Sequence, residues 1–171
     1  MDWGNAIGSF RWNYIIGRKL FSNTTLTYSN YNFGIELENS EVNHTNKTKD
    51  ENLFNYYSGI RDITAKVDFD YFPVSGHNIK FGAGYTNHLF SPGITQITTN
   101  NATSTNNAAL DSIKKTQLIN ANDVSVYIED EILIGQRFST NAGFHLSALL
   151  VQGETYLTPQ PRLSARYKAT N

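Results

Sequence analysis

The chain has 171 residues, of which 39% are hydrophobic, 13% aromatic and 17% charged, with 14 Lys and Arg set against 15 Asp and Glu. A formal net charge of -1 leaves no basic footprint for nucleic acid, and the absence of Cys excludes a disulfide framework and thiolate metal sites. The charged share is below the roughly 25% of ordinary globular chains; the aromatic load argues against disorder and suits a pleated surface.

No run approaches the roughly 18 apolar residues that a transmembrane helix needs; the longest are as short as Ala148-Leu149-Leu150-Val151. The opening Met1-Asp2-Trp3-Gly4-Asn5 has neither a basic nor an apolar stretch of the kind a signal peptide carries.

Period-two alternation, which places successive side chains on opposite faces of a strand, recurs along the chain and predicts about seven strands. Phe10, Trp12, Tyr14 and Ile16 alternate with Arg11, Asn13 and Ile15 and stop at Gly17-Arg18-Lys19. Residues 24–37 resume the pattern, with Leu26 and Tyr28 in one register and Tyr31, Phe33, Ile35 and Leu37 in the other, so a bulge is expected near Ser29-Asn30. The clearest stretch follows: Ile63, Ala65, Val67, Phe69 and Tyr71 against Asp62, Thr64, Lys66, Asp68 and Asp70. Residues 72–78 read as a turn by composition. Ile79, Phe81, Ala83 and Tyr85 then alternate with Lys80, Gly82, Gly84, Thr86 and His88 to complete a hairpin. Val124, Val126 and Ile128 alternate with Ser125, Tyr127 and Glu129 up to Ile134-Gly135-Gln136. Phe138, Ala142, Phe144, Leu146 and Ala148 form the next apolar stripe, and Leu163, Ala165 and Tyr167 the last, facing Arg162, Ser164 and Arg166. Most of these strands exceed the usual globular length of about 5–6 residues.

The expected connections are sorted by length. Those near Gly17, Gly76 and Gly135 are short, those at 38–51 and 91–123 are long and rich in Asn and Thr, and the one at 151–156 is intermediate. Short turns at one end and long loops at the other are the habit of outer-membrane barrels. Tyr14, Tyr71, Phe72 and Phe138 near the short turns, with Tyr28, Tyr31, Phe33, Tyr57, Tyr85 and Phe90 further along, fit two interfacial girdles. The fold class expected is therefore all-β, an antiparallel transmembrane β-barrel wall of about seven meander strands forming an open partial barrel.

The run Lys19-Leu20-Phe21-Ser22-Asn23-Thr24-Thr25-Leu26-Thr27-Tyr28-Ser29-Asn30-Tyr31 resembles the barrel of TonB-dependent outer-membrane receptors, particularly the large type that imports glycans and other nutrients. Lys66-Val67-Asp68-Phe69-Asp70-Tyr71, His77-Asn78-Ile79-Lys80-Phe81-Gly82, Tyr127-Ile128-Glu129-Asp130-Glu131 and Gln160-Pro161-Arg162-Leu163-Ser164-Ala165-Arg166-Tyr167 are similar to strand phrases of the same barrels. The resemblance spans nearly the whole chain and contains no catalytic motif. It implies a barrel of roughly 22 strands with a plugged lumen, in which residues 1–171 would be a middle portion of the wall, without the plug domain and the terminal strands. The partners it implies are outer-membrane lipid, the plug domain of the same parent chain, TonB acting through that chain, and, as a further candidate, a surface lipoprotein. Nucleic acid is not among them. The implied location is the bacterial outer membrane, and the implied activity is nutrient uptake.

On this reading the polar face points to the lumen and carries Asp62, Lys66, Asp68, Asp70, Lys80, His88, Glu129, Glu131, Arg137, His145, Arg162 and Arg166. A wet interior calls for mixed charge whatever it carries, so the set marks orientation more than chemistry. In Glu129-Asp130-Glu131 the central carboxylate points away from its neighbours, so the three cannot converge on Ca²⁺. The four His residues lack zinc spacing, and no Ser-His-Asp or phosphate-binding motif is legible. Asn43-His44-Thr45, Asn46-Lys47-Thr48 and Asn101-Ala102-Thr103 match the glycosylation acceptor pattern in segments so rich in Asn and Thr that chance accounts for them. No enzyme, cofactor or metal is expected. Ile94, Ile97, Leu110, Ile113 and Leu118 suggest partial order within 91–123, as in a loop folded over the barrel mouth, with a mobile low-complexity surface loop as the alternative. The alternative readings are a small self-contained outer-membrane barrel with a structural or adhesive role, and a soluble ligand-binding β-barrel.

Overall fold

Among the described residues, the alternation seen in the sequence resolves into strands. A computed structural model describes residues 1–43, 48–101, 110–115 and 117–169. The strands are β1 (Asp2–Ile15), β2 (Leu20–Asn43), β3 (Thr48–Tyr71), β4 (His77–Asn101), β5 (Leu110–Lys115), β6 (Ile119–Ile134), β7 (Phe138–Val151) and β8 (Glu154–Tyr167). They form one open antiparallel sheet in the order β1-β2-β3-β4-β6-β7-β8, with β5 paired to β4 off this path. β2 runs from Leu20 to Asn43 through Ser29-Asn30, where the sequence leads one to expect a bulge.

Two expectations about the connections need correction. The segments 38–51 and 91–123 are not mainly loop. β2 and β3 extend to Asn43 and back from Thr48, and β4 continues to Asn101, where it pairs with β5 from Ile94↔Lys115 to Thr99↔Leu110. Asn and Thr mark these residues as polar, but Ile94, Ile97, Thr98 and Thr99 are β-branched, and a backbone ladder forms whether its side chains are polar or not. The acceptor-like triplets at 43–45, 46–48 and 101–103 lie partly outside the described residues, and residues 102–109 and 116 of the 91–123 connection lie wholly outside them.

The second correction concerns 151–156. The linkage of β7 to β8 is a two-residue turn, Gln152-Gly153, with φ of 51° and 88°. Positive φ at both central positions is the type I′ geometry that matches strand twist, and Thr155 and Tyr156 already pair with Leu150 and Leu149. Short and long connections therefore do not strictly alternate.

The backbone falls into two compact units, one of Met1–Ala6, Ser29–Arg61 and Leu89–Ile119, the other of Ile7–Tyr28, Asp62–His88 and Asn120–Asn171. In the first, the Tyr56 hydroxyl donates to the Pro92 carbonyl at 2.9 Å and the Ser58 hydroxyl to the Ser91 carbonyl at 2.9 Å. The Phe33 and Tyr56 rings meet edge to face at 6.5 Å.

In the second unit the registers define two faces. Val124↔Ala148, Val126↔Leu146 and Ile128↔Phe144 continue across β7 as Phe144↔Pro161, Ala142↔Leu163 and Ala148↔Leu157. The other face carries Ser125↔Ser147, Tyr127↔His145 and Glu129↔Gly143. The apolar face is the open one: Val126, Ile128, Phe144 and Leu163 are 48%, 54%, 45% and 80% exposed, whereas Ser125, Tyr127 and Glu129 are half-buried. Among the described residues no hydrophobic side chain is buried. A single sheet gains little from apolar burial, so its cohesion rests on ladder hydrogen bonds and on cross-strand pairs of about 0.2–1 kcal/mol each.

At the short-turn end, neighbouring hairpins are joined as well. Phe72 donates its N–H to Lys19 O at 2.8 Å, Leu133 to Gly76 O at 2.7 Å and Lys168 to Arg137 O at 2.8 Å. Near them Phe21 and Phe72 meet edge to face at 6.0 Å, and Phe69 stacks on Phe81 at 5.0 Å.

Candidate functional site

The polar face of the second unit gathers most of the charge that the sequence singles out. Asp62, Lys66, Asp68 and Asp70 share one parity on β3, and Lys80 and His88 share one on β4. Side-chain bonds show that these parities face the same way. Asp62 Oδ1 lies 2.8 Å from His88 Nδ1, and the Thr64 and Thr86 hydroxyls are 3.1 Å apart. On β6, β7 and β8 the register aligns Glu129 with Gly143 and Gly143 with Arg162, so opposite charges flank a glycine. Glu131 stands opposite Asn141, and Arg166 opposite Ser139. Arg137 differs from the expectation, since it lies in the turn before Phe138 and is exposed.

A centre forms around Tyr127. Its hydroxyl donates to Asp68 Oδ1 at 2.6 Å, and Asp68 also pairs with Lys66 Nζ at 2.9 Å. The Lys66 ammonium sits 5.7 Å above the Tyr127 ring, and His145 flanks that ring at 6.4 Å. Such charge-assisted contacts are the stronger class of hydrogen bond, and the ring position suits a cation-π contact. Tyr127 can lie across β4 only because residue 82 is glycine. A Cβ there would fall 2.5 Å from Val67 O, 2.7 Å from Tyr127 Cε1 and 3.0 Å from Asp68 Oδ1.

Beside this centre Lys66, Tyr127, Glu129, Gly143, His145 and Arg162 line a shallow depression of about 300 Å³. Nδ1 of His145 is buried and makes no hydrogen bond within the described residues. The arrangement offers cationic, anionic and aromatic groups together. It can hold a polar solute or a polypeptide segment by hydrogen bonds, and it contains no nucleophile-base pair. Nearer the short turns Asn13, Ile15, Phe21, Asn23, Asp70 and Phe72 line a more apolar recess of about 610 Å³. No group of three or more His, Asp or Glu side chains suited to a metal occurs among the described residues.

One pair escaped the sequence reading. His77 Nδ1 lies 2.8 Å from Asp130 Oδ2, on the face opposite to Glu129 and Glu131. The signal was the parity of Asp130 itself: a carboxylate within an apolar stripe requires a partner, and His77 opens the strand beside it. Tyr127 and Gly82 were equally missed, because neither is charged.

No protein-family model matches the sequence, and no curated protein does. Solved structures do match. The crystal structure of BauA, the ferric preacinetobactin receptor from Acinetobacter baumannii, superposes with a TM-score of 0.59 at 10% identity, over 98% of this chain and 28% of that one. The likeness is one of fold: the open antiparallel sheet of this chain matches a section of that receptor's β-barrel. The ferric citrate transporter FecA in its unliganded form aligns over 98% of this chain and 25% of its own, with a TM-score of 0.49 and 16% identity. The chain thus spans about a quarter of the length of these receptors.

Proposed function

We propose that residues 1–171 form a section of barrel wall in a TonB-dependent outer-membrane receptor that takes up a nutrient. The observation that carries this is the inverted distribution of the second unit: the apolar stripes Val124-Val126-Ile128 and Ala142-Phe144-Leu146 lie on the open face, and the charged side chains cover one another on the other. In water that arrangement leaves a large apolar patch unsatisfied. In a bilayer the same stripes face lipid, and the polar face lines the lumen. The likeness to the BauA barrel supports the reading.

On this basis Asp62, Lys66, Asp68, Asp70, Lys80, His88, Glu129, Glu131, His145, Arg162 and Arg166 face the lumen, where they meet the plug domain of the parent chain and the passing solute. The parent chain supplies the plug and the contact with TonB, and a surface lipoprotein is a further candidate partner. Selectivity then comes from contacts and plug displacement, with no covalent step.

An immunoblot of fractionated cells tests this. A heat-modifiable band in the outer membrane, several-fold heavier than 19.2 kDa, is the expected result. A membrane band near 19.2 kDa would leave only the small self-contained barrel, and a band confined to the soluble fraction would overturn the membrane reading.

A further inference from the structure

The register of β7 with β8 is unbroken from Phe138↔Tyr167 to Val151↔Glu154, and Lys168 donates its N–H to Arg137 O at 2.8 Å. In an antiparallel pair the backbone groups of alternate residues turn toward the same neighbour. Stepping by two from Lys168, therefore, Arg166, Ser164, Arg162 and Gln160 direct N–H and C=O toward β7. The intervening residues direct theirs to the opposite edge. Pro159 and Pro161 belong to this second set, opposite Leu146 and Phe144.

Neither proline has an N–H. The outer edge of β8 consequently has no donor between Leu157 and Leu163, a stretch of about 20 Å at the rise of an extended strand. Their carbonyls still accept. A strand paired to this edge would have two carbonyls without backbone donors, and in a bilayer each unsatisfied group costs several kcal/mol. The flanking side chains on the polar face answer this deficit. Arg162 carries five N–H donors and Gln160 two, and Arg162 Nη2 already donates to Gln160 Oε1 at 3.2 Å. A neighbouring strand lies about 4.8 Å away, within reach of both.

We infer that β8 joins the next antiparallel strand of the wall through an interrupted ladder, in which the Arg162 and Gln160 side chains donate to the two carbonyls that Pro159 and Pro161 cannot serve. This rests on the barrel-wall reading.

The test uses the full-length polypeptide carrying this sequence, refolded into phosphatidylcholine vesicles, with amide hydrogen exchange and urea unfolding as readouts. In the unaltered protein the outward amides of Leu157 and Leu163 should exchange about a hundredfold more slowly than in the unfolded chain. In the Pro159→Ala/Pro161→Ala variant the two new amides should be protected to the same degree. Arg162→Met should lower the urea midpoint more in the unaltered background than in the double-alanine background, where only its contacts on the polar face are lost. Free exchange at 157 and 163 overturns the paired edge without recourse to any variant, whether water or a loosely held second copy covers it. An equal effect of Arg162→Met in both backgrounds overturns the substitution of side-chain for backbone donors. Failure of the barrel-wall reading shows differently: the inner amides of β6 and β7 would lose protection, and the protein would not enter vesicles.

Discussion

Replacing Gly82 by Ala sets two effects of opposite sign against each other. Glycine in a strand interior is conformationally expensive, and alanine at a compatible position gains about 0.5–1 kcal/mol. At residue 82 the added Cβ would meet Val67 O at 2.5 Å, Tyr127 Cε1 at 2.7 Å and Asp68 Oδ1 at 3.0 Å, where carbon contacts are comfortable at about 3.5–4.0 Å. The tyrosine ring must withdraw by about 1 Å, which breaks its 2.6 Å bond to Asp68. A hydrogen bond to a charged group is worth about 1.5–3 kcal/mol. Asp68 keeps Lys66 as a partner and its side chain is 23% exposed, so the lower end of that range applies. The Val67 oxygen belongs to the backbone and moves only with its strand, an overpacking cost of about 1–3 kcal/mol. The clash wins, with a net destabilisation of about 1.5–4 kcal/mol. Urea unfolding of the full-length protein in vesicles measures it. Adding Tyr127→Ala should recover about 1 kcal/mol by clearing the ring. Unchanged or increased stability of Gly82→Ala would refute the reasoning, because the close approach of Tyr127 would then contribute nothing.

Three further outcomes follow from the same geometry. His77→Ala leaves the Asp130 carboxylate without its partner on the apolar face and should destabilise by about 1–2 kcal/mol; urea titration of His77→Ala/Asp130→Ala should return close to the unaltered value, and a sum of two separate losses would argue against a functional pair. On the proposed barrel-wall reading, Ile128→Lys would place a charge on the lipid side at a cost of about 2–4 kcal/mol, so its abundance in the outer-membrane fraction should fall, whereas Ser147→Lys on the polar face should leave abundance near normal. Gly153→Ala, at a φ of 88°, should destabilise the β7–β8 hairpin by about 1 kcal/mol or more, measured as faster amide exchange at Val151 and Glu154; unchanged exchange would contradict the turn assignment.

The strands of the second unit were legible because their two faces differ in chemistry. Ile63 to Tyr71 against Asp62 to Asp70 declares both period and orientation, and the registers of β6 with β7 and β8 follow the same stripes. Composition misled where polar residues build ladder: Thr98 and Thr99 read as loop and pair with Asp111 and Leu110. The Gln152-Gly153 turn hid for a different reason, since Gln is an uncommon residue to hold positive φ. In the candidate site, charge identified Asp68 and Lys66. Nothing in a one-dimensional pattern brings Tyr127 across to them, because that contact depends on the missing Cβ of residue 82 on an intervening strand.

The hydrogen bonds that join one short turn to the next carry a practical consequence for tagging. Lys19, Gly76 and Arg137 each give a carbonyl to an N–H donor on a neighbouring strand, so an epitope or protease site spliced in beside them would unpick that turn and its neighbour at once. Proteases need several residues of slack chain to bind, and local opening there is opposed by both neighbours. This rim should resist nicking that a free hairpin tip of similar length would suffer, and reporter insertions should be tolerated less well there than such tips usually allow.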